Sequence, residues 1–411
     1  MNRVVITGYG VASPIGNDAE TFLESLQSGK NGIGTITKFD ASETGVTLAA
    51  EVKEFPFDKY FVKKHAKRMD LFSLYGIYAA LEAMEMSQLD TDQINVDRFG
   101  VMVGSGIGGL QTIQDQVLRM HDKGPQRVAP LFIPMAIGNM AAGNIALRVG
   151  AKGICSATVT ACATANNSIG EAFRNIKHGY SDVILAGGAE ASITEIGISG
   201  FASLTAITTS EDPDRGSIPF DKDRNGFVMG EGAGILVLES LEHAQKRGAK
   251  ILGEIVGYGS NCDAYHMTSP RPDGSGAAKA MQLAIEEASV DPAGIGYINA
   301  HGTSTPSNDV AETKAIQIAL GDAAKKVRVS STKSMTGHSL GATGGIEAIA
   351  TLNALQHQFI PPTINIEQLD EAIEIDIVIN ESQKHDFDYA LTNSFGFGGH
   401  NAVLCLKRWE D

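Results

Sequence analysis

The sequence predicts an α/β fold in which helices pack on a mostly parallel or mixed β-sheet. Short β-rich runs alternate with helical segments along the whole chain, and this alternation is typical of sheets covered by helices. Glycine residues cluster at the predicted strand–helix turns and do not form linkers. Because no low-complexity or Pro/Ser-rich segment separates the halves of the 411-residue chain, we expect one compact body.

The individual elements follow from local patterns. Eight short β-rich runs are the predicted strands: 4–8, 98–104, 182–187, 232–238, 251–258, 297–300, 327–330 and 402–407. Five longer segments carry helical patterns of apolar residues: 71–86, 163–178, 276–288, 310–319 and 345–357. Two strand-like runs of similar design, Val159-Thr-Ala-Cys162 and Val329-Ser-Ser-Thr332, each lead into a helix. This pair fits a duplicated fold.

The composition excludes several classes of protein. A hydrophobic content of 43% provides a large core. The net charge of −15 argues against non-specific binding to nucleic acid. No apolar run reaches the roughly 18 residues of a membrane span. The first ten residues are typical of a strand and turn, not of a signal peptide.

One of the four cysteines is a candidate nucleophile. Cys155, Cys162, Cys262 and Cys405 match neither a disulfide framework nor a metal site, which predicts a reducing, cytoplasmic location. Cys162 lies where a strand-like run meets a helix, and backbone N–H groups and the helix dipole favour a thiolate there. A buried structural thiol is the alternative for Cys162. We expect that role, as a small buried hydrophobe, for the other three.

Two histidines lie in loops that are rich in hydroxyl groups and glycine. His301 follows an apolar strand, and strand ends that face a crevice are where α/β proteins keep their chemistry. His338 follows Lys333 by five residues in a Ser/Thr/Gly segment that is neither a helix face nor a core stripe. Asp309 and Glu312 are interpreted as helix-start acids that complement the helix dipole. The other histidines are assigned structural roles.

Two glycine-rich segments allow a close approach of the backbone to a ligand. One is 393–401, near the C-terminus. The other, Gly104-Ser-Gly106-Ile-Gly-Gly109, follows a predicted strand and matches the spacing of a dinucleotide-binding loop. The acidic residue that such a site requires about 20 residues later is absent around 126–129. We therefore do not interpret this loop as a nicotinamide or flavin site.

A short basic cluster runs against the acidic character of the chain. Lys63, Lys64, Lys67 and Arg68 fall within six residues. Such a run is often a solvated helix face. It is also what a docking site for an acidic partner would require in a protein of net charge −15. Charge alone leaves both interpretations open.

Seven segments together match one family over essentially the whole chain: Arg3-Val-Val-Ile-Thr-Gly8, Gly104-Ser-Gly-Ile-Gly-Gly109, Thr160-Ala-Cys162, Phe220-Asp-Lys-Asp-Arg-Asn-Gly-Phe-Val-Met-Gly-Glu-Gly-Ala-Gly234, His301-Gly-Thr-Ser-Thr305, Lys333-Ser-Met-Thr-Gly-His338 and Phe395-Gly-Phe-Gly-Gly399. The chain resembles the β-ketoacyl-[acyl-carrier-protein] synthases, the elongating condensing enzymes of the thiolase superfamily, and most closely their type II members. Each segment alone is moderately specific, and the set is highly specific.

The resemblance implies a fold and a reaction. The fold is a thiolase-like duplicated α-β-α-β-α layered fold with two five-stranded mixed sheets, divided into halves 1–249 and 250–411. The reaction is the decarboxylative Claisen condensation of type II fatty acid biosynthesis. Cys162 takes an acyl chain from acyl carrier protein as a thioester. Malonyl-carrier protein then loses CO₂, and its carbanion attacks that thioester to give a 3-oxoacyl product two carbons longer.

The resemblance also implies roles for individual residues. His301 and His338 donate hydrogen bonds to the malonyl thioester oxygen, with Lys333 in support. The backbone N–H groups of Cys162 and Phe397 form the oxyanion hole, and Phe397 is also the gate between the malonyl and acyl sites. Four further residues contact substrate, two on the phosphopantetheine arm, one at the base of the acyl pocket and one near the gate: Thr303, Thr305, Ile107 and Phe395.

The resemblance implies no catalytic metal or cofactor. Some relatives carry a structural monovalent cation beside the position of Glu347. The implied partner is acyl carrier protein, and one docking arginine of the family is replaced here at or near Thr205. A homodimer is implied, with no nucleic-acid or membrane partner. Four basic side chains form the implied docking patch: Lys64, Lys67, Arg68 and Arg127.

The assignment within the family has one main alternative. Ile107 is the type II residue where type I relatives have glycine, whereas 337–342 and 362–371 resemble type I sequences. The alternative is therefore a type I-like synthase specialised for unsaturated chains. It differs from the type II assignment in the substrates elongated, not in the reaction.

Other classes fit less well. A thiolase would need a second cysteine where this chain has His400. A starter-type synthase would have asparagine in place of His338, and a non-catalytic partner subunit would lack Cys162. A nicotinamide-dependent dehydrogenase, from a different class, rests only on the 104–109 loop.

Overall fold

The computed structural model describes residues 1–410. The strands are β1 (Val4–Ala12), β2 (Gly34–Thr35), β3 (Leu48–Ala49), β4 (Phe99–Gly104), β5 (Cys155–Ser156), β6 (Val183–Glu190), β7 (Gly232–Ser240), β8 (Gly253–Cys262), β9 (Ile295–Asn299), β10 (Arg328–Ser330), β11 (Phe359–Ile360), β12 (Gln383–Lys384), β13 (Tyr389–Gly396) and β14 (His400–Arg408). All eight predicted strands are present, with shifted ends.

The helices are α1 (Ala19–Ser28), α2 (Lys63–Ala66), α3 (Leu71–Ser87), α4 (Leu110–Lys123), α5 (Phe132–Ala136), α6 (Met140–Val149), α7 (Thr164–Lys177), α8 (Glu195–Ser203), α9 (Pro213–Gly216), α10 (Leu241–Lys246), α11 (Ser275–Ala288), α12 (Pro306–Leu320), α13 (Lys333–Thr336) and α14 (Thr343–His357). The five predicted helices correspond to α3, α7, α11, α12 and α14. None of the helices in residues 1–410 combines the length and apolar character needed to cross a bilayer.

Ten strands form one mixed sheet in the order β5-β4-β6-β7-β1-β8-β14-β13-β9-β10. The α/β fold class is confirmed, and each half contributes five strands. The two five-stranded mixed sheets of the prediction are joined into one, because Val4–Ile6 of β1 pair antiparallel with Gly253–Ile255 of β8. The division into 1–249 and 250–411 stays a prediction.

The two halves of the sheet repeat the same pattern of pairing. Outward from the centre, β1-β7-β6-β4-β5 pairs antiparallel, antiparallel, parallel and parallel. The strands β8-β14-β13-β9-β10 follow the same sequence. This matches the duplicated unit that the sequence indicates.

Two helices form the central layer of the molecule. Both α7 and α14 pack against each other and against strands from both halves. All residues of α14 from Thr343 to Leu355 are buried. On the outer faces, α3 and α6 cover the first half, and α11 covers the second with α12 packed beside it. These are the α-β-α-β-α layers that the resemblance implies.

The strand ends place the candidate residues near one another. Cys162 lies between β5 and α7, and His301 follows β9. Lys333 and His338 follow β10, while Phe397 lies in the hairpin between β13 and β14. Because β9, β10 and β13 are parallel neighbours, their carboxyl ends share one edge of the sheet.

Candidate active site

The turn that carries Cys162 is held in a strained shape. Cys162 lies in the short 3₁₀ turn Ala161–Ala163 directly before α7. Ala161 has φ of +51°, a left-handed conformation that costs a non-glycine residue roughly 1–2 kcal/mol. Thr160 stabilises the turn by donating its hydroxyl to Asn167 Oδ1 at 2.7 Å. The strain presents the sulfur to the cavity beside it.

The environment of the sulfur favours the thiol over the thiolate. Burial raises the pKa of Cys162 to about 12, and the charge of Glu190 acts in the same direction. Lys333 and the backbone N–H groups of Phe397 and Cys162 oppose this shift. The N–H groups favour the thiolate, as the sequence predicts, but the loss of hydration on burial outweighs them.

The loop between β13 and β14 lies close to the turn that carries Cys162. A Cβ on Gly396 would lie 2.6 Å from Thr160 O and 3.1 Å from Cys162 N, so only glycine fits there. This approach lets the N–H of Phe397 reach the sulfur of Cys162. The two N–H groups predicted for the oxyanion hole thus lie at the same sulfur.

The two candidate histidines are neighbours. The rings of His301 and His338 are 5.3 Å apart and nearly perpendicular, at 87°. Burial, and then the charge of Lys333, lowers both pKa values well below the ordinary value. The Nδ1 atom of each ring is buried and has no hydrogen-bond partner among residues 1–410. At neutral pH both rings are neutral, and each carries one N–H that can be donated.

Lys333 is the cation of the site. Its Nζ lies 2.5 Å from Glu347 Oε1, and both side chains are buried. Burial raises the pKa of Glu347 to about 7, against the effect of Lys333. Within the described part of the chain, Glu347 Oε2 has no hydrogen-bond partner, so the residue fits the monovalent cation that the resemblance associates with it. Such a cation would hold the carboxylate charged and would take no part in bond making.

Glu312 is a site residue that the sequence interpretation missed. It accepts hydrogen bonds from the N–H groups of His301 at 2.7 Å and Gly302 at 2.8 Å. It also accepts one from Asn393 Nδ2 at 3.0 Å. A buried carboxylate thus fixes the backbone of His301, which corrects its assignment as a helix-start acid.

Asp309 is likewise buried. It accepts from the N–H of Phe220 at 2.9 Å and lies 3.4 Å from Arg224. The spacing of Asp309 and Glu312 on one helix face, directly after the loop of His301, was the available signal.

A cavity of about 320 Å³ connects Cys162, His301 and His338 to the surface of the protein. Its buried end includes Cys162, His301 and His338, and its outer end includes the exposed residues Leu204 and Ser269. A long, thin substrate could therefore reach the sulfur from outside. Four of the predicted residues also line it: Thr303, Thr305, Phe395 and Phe397.

This geometry suits acyl transfer through a thioester, and the comparisons with known proteins agree. The model of the β-ketoacyl synthase N-terminal domain matches residues 1–244, and that of the β-ketoacyl synthase C-terminal domain matches 252–367. The chain belongs to the β-ketoacyl synthase family.

Individual relatives in the family are similar over their full length. The chain is 52% identical over 408 residues to 3-oxoacyl-[acyl-carrier-protein] synthase 2 of Staphylococcus aureus strain COL, covering 99% of each. It is 50% identical over 409 residues to the protein of the same name from Synechocystis, covering 99% of this chain and 98% of that protein. A type II polyketide ketosynthase solved in complex with its acyl-carrier protein superimposes with a TM-score of 0.92, at 32% identity and full coverage of both chains.

One predicted residue of this β-ketoacyl synthase lies apart from the others. Ile107 is outside the cavity that contains Cys162, and its side chain is 38% exposed. Its role in substrate binding stays a prediction.

The other substrate-binding predictions concern residues at the β-ketoacyl synthase cavity. The hydroxyls of Thr303 and Thr305 lie 2.9 Å apart, so both can form hydrogen bonds to one polar ligand. The ring of Phe395 packs edge-on against His301 at 5.6 Å. The ring of Phe397 lies 6.3 Å from the ring of Phe201, and both residues line the cavity.

The four residues of the docking patch are exposed and available. Lys64 lies in α2, Lys67 and Arg68 follow it, and Arg127 lies in a turn after α4. In residues 1–410 none of the four forms an ion pair. They do not line the cavity, so a partner that used them would bind outside its mouth.

Two cysteine assignments need correction. All four cysteines are free, and Cys405 is buried as expected. Cys155 and Cys262 are exposed, because they lie at the outer strand β5 and at the end of β8. Neither cysteine therefore has the role of a small buried hydrophobe that the sequence predicts for it.

Proposed function

We propose that this chain catalyses the elongating condensation of fatty acid biosynthesis. It joins a Cys162-bound acyl chain to malonyl-acyl carrier protein and releases a 3-oxoacyl-acyl carrier protein two carbons longer. The observation that carries the proposal is the meeting of one thiol and two neutral histidines in a cavity that opens to the surface. Full-length relatives named for this activity support it.

The first half-reaction moves the acyl chain onto Cys162. The sulfur attacks the thioester carbonyl of the acyl carrier protein, and its proton passes to the departing phosphopantetheine thiolate. The N–H groups of Cys162 and Phe397 would hold the oxyanion of the tetrahedral intermediate. Fixed donors of this kind are worth about 3–4 kcal/mol each in acyl transfer.

The second half-reaction joins the chains. Malonyl-carrier protein loses CO₂, and negative charge moves to its thioester oxygen. His301 and His338 would donate hydrogen bonds to that oxygen, which neutral imidazoles held beside Lys333 can do. The resulting carbanion attacks the Cys162 thioester, the sulfur leaves as a thiolate, and a proton from solvent regenerates the thiol.

Elongation assays test the proposal directly. Purified protein with an acyl-carrier protein and malonyl-carrier protein should yield a 3-oxoacyl product two carbons longer and one CO₂ per turnover, measured by mass spectrometry and gas release. Saturated and cis-unsaturated chains in parallel would separate the type II assignment from the type I-like alternative. The type 2 name of the relatives supports the former. Absence of any elongated product would contradict the proposal.

The docking patch should control affinity for the carrier protein. Reversing Lys67 and Arg68 to glutamate is expected to raise KM for acyl carrier protein about tenfold, and the effect should shrink as salt is added. Turnover at saturating carrier protein should change little, because neither residue lies at the cavity. Reversal of Lys384, an exposed lysine in the short strand β12, is the matched control. Equal KM values for both variants would remove the patch from docking.

A homodimer is supported by the outer strand of the sheet. β5 is the last strand in the order, and apolar side chains are exposed around it and nearby along the chain: Ile133, Ile137, Ile154 and Val159. Exposed edge strands with apolar neighbours are normally covered. Light scattering is expected to give twice the chain mass, and Val159→Lys should shift the protein toward the monomer. A wild-type monomer would contradict this. The cytoplasmic location stays a prediction.

A further inference from the structure

A buried carboxylate beside the site has no assigned role. Glu190, the last residue of β6, is completely buried. In residues 1–410 it has no ion-pair partner within 4.0 Å. Five groups donate hydrogen bonds to it, at distances from 2.7 to 3.2 Å: the hydroxyls of Ser105 and Ser192 and the N–H groups of Gly106, Ile107 and Gly341.

These donors explain the glycine-rich loop that resembles a dinucleotide site. Gly106 and Ile107 direct their N–H groups at Glu190, so the loop binds an anion that belongs to the protein. Three of the five partners are backbone N–H groups, which can only donate. These donors favour an ionised, acceptor-only carboxylate and oppose burial, which raises the pKa of Glu190. A dinucleotide phosphate would have to displace it, which argues against the dehydrogenase alternative.

Glu190 joins two turns that are far apart in sequence. One follows β4 and carries Ile107, and the other is the 3₁₀ turn Leu340–Ala342 before α14. The two backbones touch, since a Cβ on Gly341 would lie 2.2 Å from Gly106 N and 2.8 Å from Glu190 Oε2. Glycine at both positions lets a single carboxylate reach both turns.

The second of these turns forms a wall at the nucleophile. The turn Leu340–Ala342 packs against the turn that carries Cys162, and Leu340 lines the cavity. Leu340 also belongs to the apolar cluster around Cys162, with Ile193 and Ile198. Ile107 itself does not line the cavity.

We propose that Glu190 is a positioning residue that sets the apolar wall against which an acyl chain on Cys162 lies. It does so by fixing the turn of Leu340 and the turn of Ile107 to each other. The proposal rests on the proposed function. A long chain on Cys162 contacts more of this apolar wall than a short chain does, so Glu190 affects the acceptance of long chains most.

Glu190→Gln tests this with little change in volume. The new amide group best faces Ser105 and Ser192, whose hydroxyls can rotate to accept a hydrogen bond, but the N–H of Ile107 then loses its acceptor. The remaining oxygen, now neutral, accepts more weakly from Gly106 and Gly341. The wall formed by the turn Leu340–Ala342 is then held less firmly. The imidazole groups of His301 and His338 in the cavity are unchanged.

The assay compares the rates at which Cys162 is acylated by hexanoyl- and tetradecanoyl-carrier protein, followed by intact-protein mass. In Glu190→Gln the rate with the long chain is expected to fall about tenfold relative to the short chain, as expected for loss of one charged acceptor. Decarboxylation of malonyl-carrier protein, which does not use the acyl pocket, should stay within about twofold. An unchanged ratio of the two acylation rates, or an equal fall in all three rates, overturns the proposal.

Two further variants keep the test decisive. Ser192→Ala removes one donor and leaves the carboxylate, so it should shift the ratio in the same direction by about two- to threefold; it decides the matter if Glu190→Gln does not fold. Glu239→Gln, at a buried carboxylate bound by Arg247 and His243, should lower the melting temperature and leave the ratio unchanged. A wild-type protein that forms no thioester at Cys162 would instead overturn the proposed function.

Discussion

Cys162→Ala should abolish the acyl-enzyme and reduce elongation on the order of a thousandfold or more, since no other group can take the nucleophile's place. After incubation with acyl-carrier protein, wild-type protein should gain one acyl mass, located on the peptide that contains Cys162. The variant should gain none. Decarboxylation of malonyl-carrier protein should persist in it, because His301 and His338 are untouched.

Cys405 provides the matched control for this experiment. Its thiol is also buried, and burial raises its pKa to about 12, as for Cys162. No N–H group or lysine opposes the shift at Cys405. Cys405→Ala should therefore remain acylated and active. Acyl mass on any other cysteine, or on Cys162→Ala itself, would show that Cys162 is not the nucleophile.

Alanine at His301 or His338 should separate the two half-reactions. Loss of one donor to the enolate oxygen is expected to slow condensation by about 10²–10³-fold. Acyl transfer to Cys162 should continue at a reduced rate, because its oxyanion donors are backbone N–H groups. Single-turnover acylation and steady-state elongation, measured on the same preparations, give the two rates.

The same histidines predict the response to pH. Both pKa values are lowered well below the ordinary 6.5, so the rings are neutral at pH 7 and stay neutral as pH falls through 6.5. Condensation should not lose activity there through protonation of the pair. His357→Ala, at the end of α14, is the control and should condense normally. Intact condensation in either site variant would remove that histidine from the mechanism.

Local patterns in the sequence were enough for most of the central elements. The helices α7 and α14 and the strands β6 and β7 contain long apolar or small-residue runs that reveal their type. Strand β13 was not predicted, although it lies in the centre of the second half of the sheet. It buries Thr392, Asn393 and Ser394, and these polar residues hide the apolar pattern. Asn393 is accommodated because Glu312 accepts its amide.

The resemblance indicated which residues should meet, and the structure brings Cys162, His301, His338 and Lys333 together around one cavity or directly behind it. It did not indicate the supporting carboxylates. Glu312 and Glu190 lie on different elements from the groups they hold, and their partners are mainly backbone N–H groups. Any residue type except proline can supply such an N–H group, so the contact leaves no side-chain motif in the sequence.

The sequence by itself determined the α/β class, and it indicated the duplicated pattern and the candidate residues Cys162, His301 and His338, because strand and helix patterns and family motifs depend on residue types at short spacing. The tertiary structure alone decided three further properties: the joining of the strands into one sheet, the placement of Ile107 outside the cavity, and the raised pKa of Cys162. The physical reason is the same for all three. Strand register, burial and the charges of Lys333 and Glu190 act between segments that lie far apart in the chain.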